Sequence, residues 1–426
     1  MSECLHAFIV ALDQACDGQA KCWYASTLEL QLASLAFCGA CRSVQTLHVR
    51  VDQQTPRSLW PPCASHITAN AGIGEDLILS RVPAPQAYGL TLLTGYSSAD
   101  RLGSVPLLQR LKRLVIVSDT AVNKASWPDS LLQLSFGSGF NQSLGGVVWP
   151  ASLQQLSFGK TFNQPIAGVV WPASLQLLSF GKRFNQPIAE AVWSASLKQL
   201  SFGWAFNRPI DEVEWPAALQ QLSFGWAFNR PIEEVAWPAS LRQLSFAAKF
   251  NQPIVGVAWP ASLQQLSFRG QFNQPLVGVV WPASLQQLSF SSFFNQPVVE
   301  VVWPTSLQQL SFGYAFNQPI VGVSWPASLL NLQFDLDFNQ PIAEVVWPTS
   351  LQQLSFGEEF NQPIAEVVWP ASLQKLLFGA KFNQPITQVV WPASLQQISF
   401  GGEQSLDGVV WPASIRSVTN DYICLL

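Results

Sequence analysis

Histidine, cysteine and charge are scarce in this chain, and their placement is as telling as their number. Its 426 residues hold three histidines, His6, His48 and His66. Of seven cysteines, six lie between Cys4 and Cys63 and the last is Cys424. The long middle therefore has neither imidazole nor thiol, the commonest general base and the strongest side-chain nucleophile. An odd cysteine count with none in the middle argues against a disulfide framework and for a reducing compartment, so the expected location is cytoplasmic. Charged residues make up 11% of the chain, against roughly 25% in soluble proteins generally. With a net charge of −4 and no basic run, nucleic acid and anionic membranes have no electrostatic handle. No stretch of about 18 apolar residues is present, so no membrane span is expected. The apolar run Ala7–Leu12 has no Lys or Arg before it, which argues against a secretory signal.

Signature motifs are missing as well. There is no Gly-x-Ser-x-Gly, no phosphate-binding loop, no His-Glu-x-x-His and no calcium loop. The pairs Glu233-Glu234 and Glu358-Glu359 read as solvated turn neighbours. Cys38-Gly-Ala-Cys41, taken with the loosely spaced Cys16 and Cys22, reads as free or buried thiols rather than a zinc site. No catalytic residue, cofactor or metal is expected. The sequon Asn141-Gln-Ser143 is expected to be unused, because its Asn belongs to the repeat described next.

What the chain has in abundance is itself. From Trp127 to Trp391 a Trp returns every 22 residues, and Trp411 follows after 20. Phe-Asn occurs twelve times, from Phe140-Asn141 to Phe382-Asn383. In the unit Leu153–Trp171, the alternation Leu156-Ser157-Phe158 has the period of a strand. Twenty-two residues leave no room for a long helix beside it, and Pro165 and Pro172 interrupt regular structure twice per unit. A second extended segment is expected at Val169-Val170-Trp171, with Val169 and Trp171 inward. Position 170 becomes Glu214, Ala236 and Ser324 elsewhere, so it is expected to face water. One unit cannot bury enough apolar surface to fold alone, so units must stack. The expected fold is a β-rich solenoid of stacked 22-residue coils with a parallel β-sheet face and little helix. The invariant Asn of Phe-Asn (Asn163, Asn185, Asn207, Asn229, Asn251, Asn273) is expected next to the core, bonded to the adjacent coil as a structural ladder.

The pattern Leu-x-x-Leu-x-Phe-Gly-x-x-Phe-Asn-Gln-Pro-Ile followed by Pro-x-Ser-Leu closely resembles the FNIP repeat, a 22-residue relative of the leucine-rich repeat. It covers about residues 127–416 and departs by using Trp-Pro where the family is expected to have Leu-Pro. The resemblance implies a leucine-rich-repeat-like solenoid used in protein–protein interaction. Some family members join such repeats to an F-box, and this sequence has no convincing one, so ubiquitin-ligase adaptor activity is not carried over.

Four segments are expected: a cap at 1–27 with a short helix over Leu5–Ala15, diverged coils at 28–126, regular repeats at 127–416, and a tail at 417–426. Variation against the fixed frame concentrates in the two residues before Phe-Asn. Trp204 and Trp226 fall there on consecutive coils, and Arg208 and Arg230 replace the usual Gln of the same coils. Asp211, Glu212, Glu214, Glu233 and Glu234 lie close by in sequence, and Tyr314 occupies the Trp position further on. Exposed Trp and Arg are the residues most enriched at binding hot spots. The expected function is a non-catalytic scaffold, monomeric, capturing a protein partner at Trp204, Trp226, Arg208, Arg230 and Tyr314. The alternative is a secreted or surface adhesion or glycan-binding solenoid. An ice-binding array would need rows of Thr, which the Gln/Ser strand face does not supply.

Overall fold

The computed structural model describes residues 48–51, 66–69 and 89–92 as backbone, and residues 111–117, 119, 121–290 and 292–420 in full. The segment Leu5–Ala15, expected to be helical, and the four cysteines of the weighed zinc site lie outside the described residues. The chain divides into two compact units, one ending at Lys182 and one beginning at Arg183. Among the described residues there is no helix.

Unit 1 holds β1 (His48–Val51), β2 (His66–Ala69), β3 (Gly89–Leu92), β4 (Arg113–Ile116), β5 (Gln133–Phe136), β6 (Gln155–Ser157) and β7 (Leu177–Ser179). Each pairs in parallel with the next, His48 against His66 at one end and Leu156 against Leu178 at the other. Strands of the same parallel ladder thus precede the regular repeats. Unit 2 runs from β8 (Gln199–Ser201) through β10 (Gln243–Phe246) and β11 (Gln265–Phe268) to β18 (Ser417–Thr419). Register is set by the 22-residue period: Gln243 faces Gln265 and Leu244 faces Leu266. A parallel ladder of short strands needs a return path between rungs, and here turns and extended chain supply it.

The interior is built of columns. Leu153, Leu156, Phe158, Phe162, Ile166, Val169 and Trp171 are all buried. In unit 2, Phe224 and Phe228 lie 4.2 Å apart within one coil, and Phe228 meets Phe250 of the next at 6.1 Å, nearly parallel. The Trp rings stack likewise, 6.3 Å from Trp215 to Trp237. The buried Trp Nε1–H groups meet no acceptor on the protein, so ring packing and not side-chain hydrogen bonding joins one indole to the next. Trp171 points inward as expected, and Val170, 81% exposed, faces water. The second segment, Val169–Trp171, joins no strand ladder. Turns bracket it, with Val169 N–H donating to Ile166 O and Leu175 N–H to Pro172 O. Those donors are used locally, and Pro172 has none to give a ladder.

Side chains bridge the coils at two levels. Within each compact unit an Asn backbone N–H donates to Oδ1 of the Asn one coil earlier, Asn163 to Asn141 at 2.8 Å, Asn207 to Asn185 at 2.9 Å and Asn273 to Asn251 at 2.9 Å, and Asn141 N–H donates to Asp119 Oδ1 at 2.7 Å. The following Gln adds a second donor to the same oxygen, Gln274 Nε2 to Asn251 Oδ1 at 3.0 Å. These Asn side chains are half-buried rather than buried. A ladder absent from the sequence reading is made by the Ser of Trp-Pro-x-Ser-Leu. Its hydroxyl donates to the carbonyl of the Leu in the preceding coil, as Ser240 does to Leu219 and Ser262 to Leu241, both at 2.7 Å.

Candidate interaction surface

The corner that follows each strand is where the chain leaves its frame. Phe224 and Phe228 are both buried, and their rings pack on one another. The chain between them must therefore bulge outward as a turn, closed by Phe228 N–H to Gly225 O at 3.3 Å. Adjacent corners are tied by Ala227 N–H to Trp204 O at 2.8 Å and Lys249 N–H to Trp226 O at 2.9 Å. Gly225 is required here, since a Cβ would stand 2.0 Å from the Gly203 carbonyl oxygen. The two variable residues of each unit thus sit on a tightly indexed ridge, free in identity but not in position.

On this ridge Trp204 and Trp226 lie with ring centroids 4.8 Å apart, tilted by 31°. They remain 45% and 37% exposed. Lys249 carries the column on, its Nζ 4.3 Å from the centre of the Trp226 ring, within cation–π reach. Arg208 and Arg230 are exposed, and each is anchored by Nε to the backbone carbonyl of an Asn one coil earlier, Asn185 at 2.8 Å and Asn207 at 3.0 Å. Their stems are therefore part of the Asn ladder, and they bond backbone rather than carboxylates there. The ridge brings together Trp204, Trp226 and Lys249, and sets Arg208 and Arg230 on the same coils.

Tyr314 is not brought to this group. It is 53% exposed, but it lies four coils beyond Trp226, roughly 19 Å away at strand spacing. Its neighbours along the ridge are Phe293 and Leu336, 58% and 37% exposed. Beside them Asp335 takes the place usually held by Gly. Burial pushes its carboxyl above the ordinary carboxylate range, with Asp337 and Glu358 adding to the effect and the Leu336 N–H opposing it. On the next coils Lys381 pairs with Glu359 at 2.6 Å. Among the described residues no group of three His, Cys, Asp or Glu is placed to hold a metal ion. No described helix is long and apolar enough to cross a membrane.

The model of the FNIP repeat matches residues 140–203 and 250–403 in overlapping copies. The chain belongs to the FNIP-repeat family. CroV588, described as a novel circular leucine-rich-repeat protein, shares this architecture at TM-score 0.76 and 37% identity. That match covers 88% of this chain and 56% of CroV588. The Drosophila Toll–Spatzle complex matches at TM-score 0.65 with 12% identity, over 84% of this chain and 55% of that one. This FNIP chain thus spans little more than half the length of either structure. No curated protein matches it significantly in sequence.

Proposed function

We propose that this FNIP chain is a non-catalytic scaffold that captures a protein partner at the corner ridge of unit 2. The observation that carries the reading is the Trp204–Trp226 pair, two exposed indoles preset at 4.8 Å on a corner tied at every coil. Large aromatic surface held rigid before binding loses little entropy on association, and Trp with Arg is the composition of interface hot spots. Arg208 and Arg230 supply charge-assisted donors at the margin, their stems fixed by the bonds to Asn185 and Asn207. Tyr314, with Phe293 and Leu336, forms a separate apolar stretch on the same ridge. The partner is a protein, and the chain acts as a monomer in the cytoplasm, consistent with cysteine-free repeats.

Affinity capture from cell extract with the full chain and with the Trp204→Ser/Trp226→Ser variant tests this. The variant should lose its specific partner while its circular dichroism stays that of the parent. Unchanged capture would discard the ridge. Binding of the parent to a glycan array, lost in the variant, would favour a surface carbohydrate-binding role instead.

A further inference from the structure

Unit 2 segregates its charge. Eleven stretches run from the Ile position to the residue after Trp-Pro, and together they hold ten carboxylates, among them Glu212, Glu214, Glu233 and Glu234. They hold no Lys, Arg or His. The same stretches present an outward column of valines, with Val280, Val302 and Val346 80–82% exposed. This turn face is therefore apolar and uniformly acidic.

The valine column also roofs the indoles beneath it. Where Val occupies the position before Trp, the ring is buried, as at Trp281, Trp303 and Trp369, except at Trp411 of the last, shorter coil, which is half-buried behind Val410. Where Glu214, Ala236, Ala258 or Ser324 replaces it, the Trp that follows is only half-buried. Trp127, which follows Ser126, is buried all the same. At Ala258 the missing methyls open a groove of about 400 Å³ lined by Gly256, Ala258, Trp259, Val280, Trp281 and Pro282, with Val257 and two alanines completing it. A carboxylate stands at its lip: a Cβ on Gly256 would lie 2.9 Å from Glu233 Oε1.

We propose that this groove receives an arginine side chain from an extended segment of a partner protein. Its stem would lie between Ala258 and Val280, its guanidinium over the Trp259 ring and against Glu233, and its apolar neighbours along the valine column. Three features of the face select this occupant. An indole with an adjacent carboxylate suits a planar cation that both stacks and donates in a fork. The surrounding carboxylates repel acidic segments. A second copy of the same face would set carboxylates against carboxylates. This surface is distinct from the Trp204–Trp226 ridge and does not depend on it.

Isothermal titration calorimetry of the full chain tests the assignment with a blocked five-residue peptide alternating valine and arginine, and with its valine–glutamate counterpart as control. The arginine peptide should bind about tenfold tighter than the control. Ala258→Val restores the residue found at Val280 and Val302, so it keeps the fold while filling the groove, and it should weaken the arginine peptide about tenfold. Glu233→Gln should weaken it and flatten its salt dependence. Trp204→Ser/Trp226→Ser should leave it unchanged. Equal binding of the two peptides, or parental affinity in Ala258→Val, would overturn the proposal. So would a loss in the Trp204→Ser/Trp226→Ser variant, which would move the peptide to the ridge. Self-association abolished by Ala258→Val would make the occupant a second copy and overturn it as well.

Discussion

The conserved-looking letters of the repeat do separable jobs when taken one residue at a time. Asn251 accepts the backbone N–H of Asn273 and the side chain of Gln274 through one oxygen. Asn251→Ala strands both donors, and a loss of about 1–3 kcal/mol is expected in chemical denaturation. The Ser ladder has a natural gap at Ala218, where Trp-Pro-Ala-Ala replaces Trp-Pro-Ala-Ser. Ala218→Ser should give the Leu197 carbonyl the donor its counterparts have, raising stability by about 0.5–1.5 kcal/mol. An unchanged denaturation midpoint would mean the Ser bonds contribute nothing net. Asp335 is a third case. Burial raises its carboxyl above the ordinary range, so at pH values between the unfolded and the folded value the folded state holds a proton that the unfolded state has released. Stability from this group should therefore increase as pH falls through the raised value, and Asp335→Asn should flatten that rise in pH-dependent thermal melts.

The element of this protein is the coil, and most of its design was legible in one unit. Alternation at Leu156-Ser157-Phe158 marked the strand, and tolerance of Val, Glu, Ala and Ser at one position marked the residue facing water. The interior Phe pair was legible as apolar residues but not as a closed stack, because spacing alone does not say that Phe224 and Phe228 meet at 4.2 Å. Phe228→Ala should cost about 3–5 kcal/mol, the range for buried Phe, because the column cannot collapse around the gap. Whether the segment Val169–Trp171 pairs was not legible, because extended, β-branched sequence looks the same whether its N–H groups feed a ladder or close turns. The Ser ladder went unread for a similar reason. A small polar residue in a Pro-containing loop is ordinary turn chemistry, and only the neighbouring coil turns its hydroxyl into a bridge. The ridge was readable from variation, and the repeat count places Tyr314 in the same column four coils beyond Trp226, roughly 19 Å away.

For the whole molecule, stability and binding both follow from coils that complete one another. Identical register places each variable residue against its counterpart one coil on, so a surface is written as columns and read by partners that span several coils. The turn face and the ridge are two such columns, and neither exists within a single coil. If the period is the true structural quantum, removing one whole period should leave the remaining coils matched, whereas removing half should not. Deleting Phe272–Phe293 joins Gln271 to Phe294, which has the same place in its coil as Phe272; deleting Phe272–Pro282 joins Gln271 to Ala283 and breaks every column. The direct measurement is denaturant unfolding of both full-length deletion variants followed by circular dichroism. The stacked-coil account predicts a cooperative transition near the parent's midpoint for the 22-residue deletion and collapse of the transition for the shorter one. Equal behaviour of the two variants would contradict it.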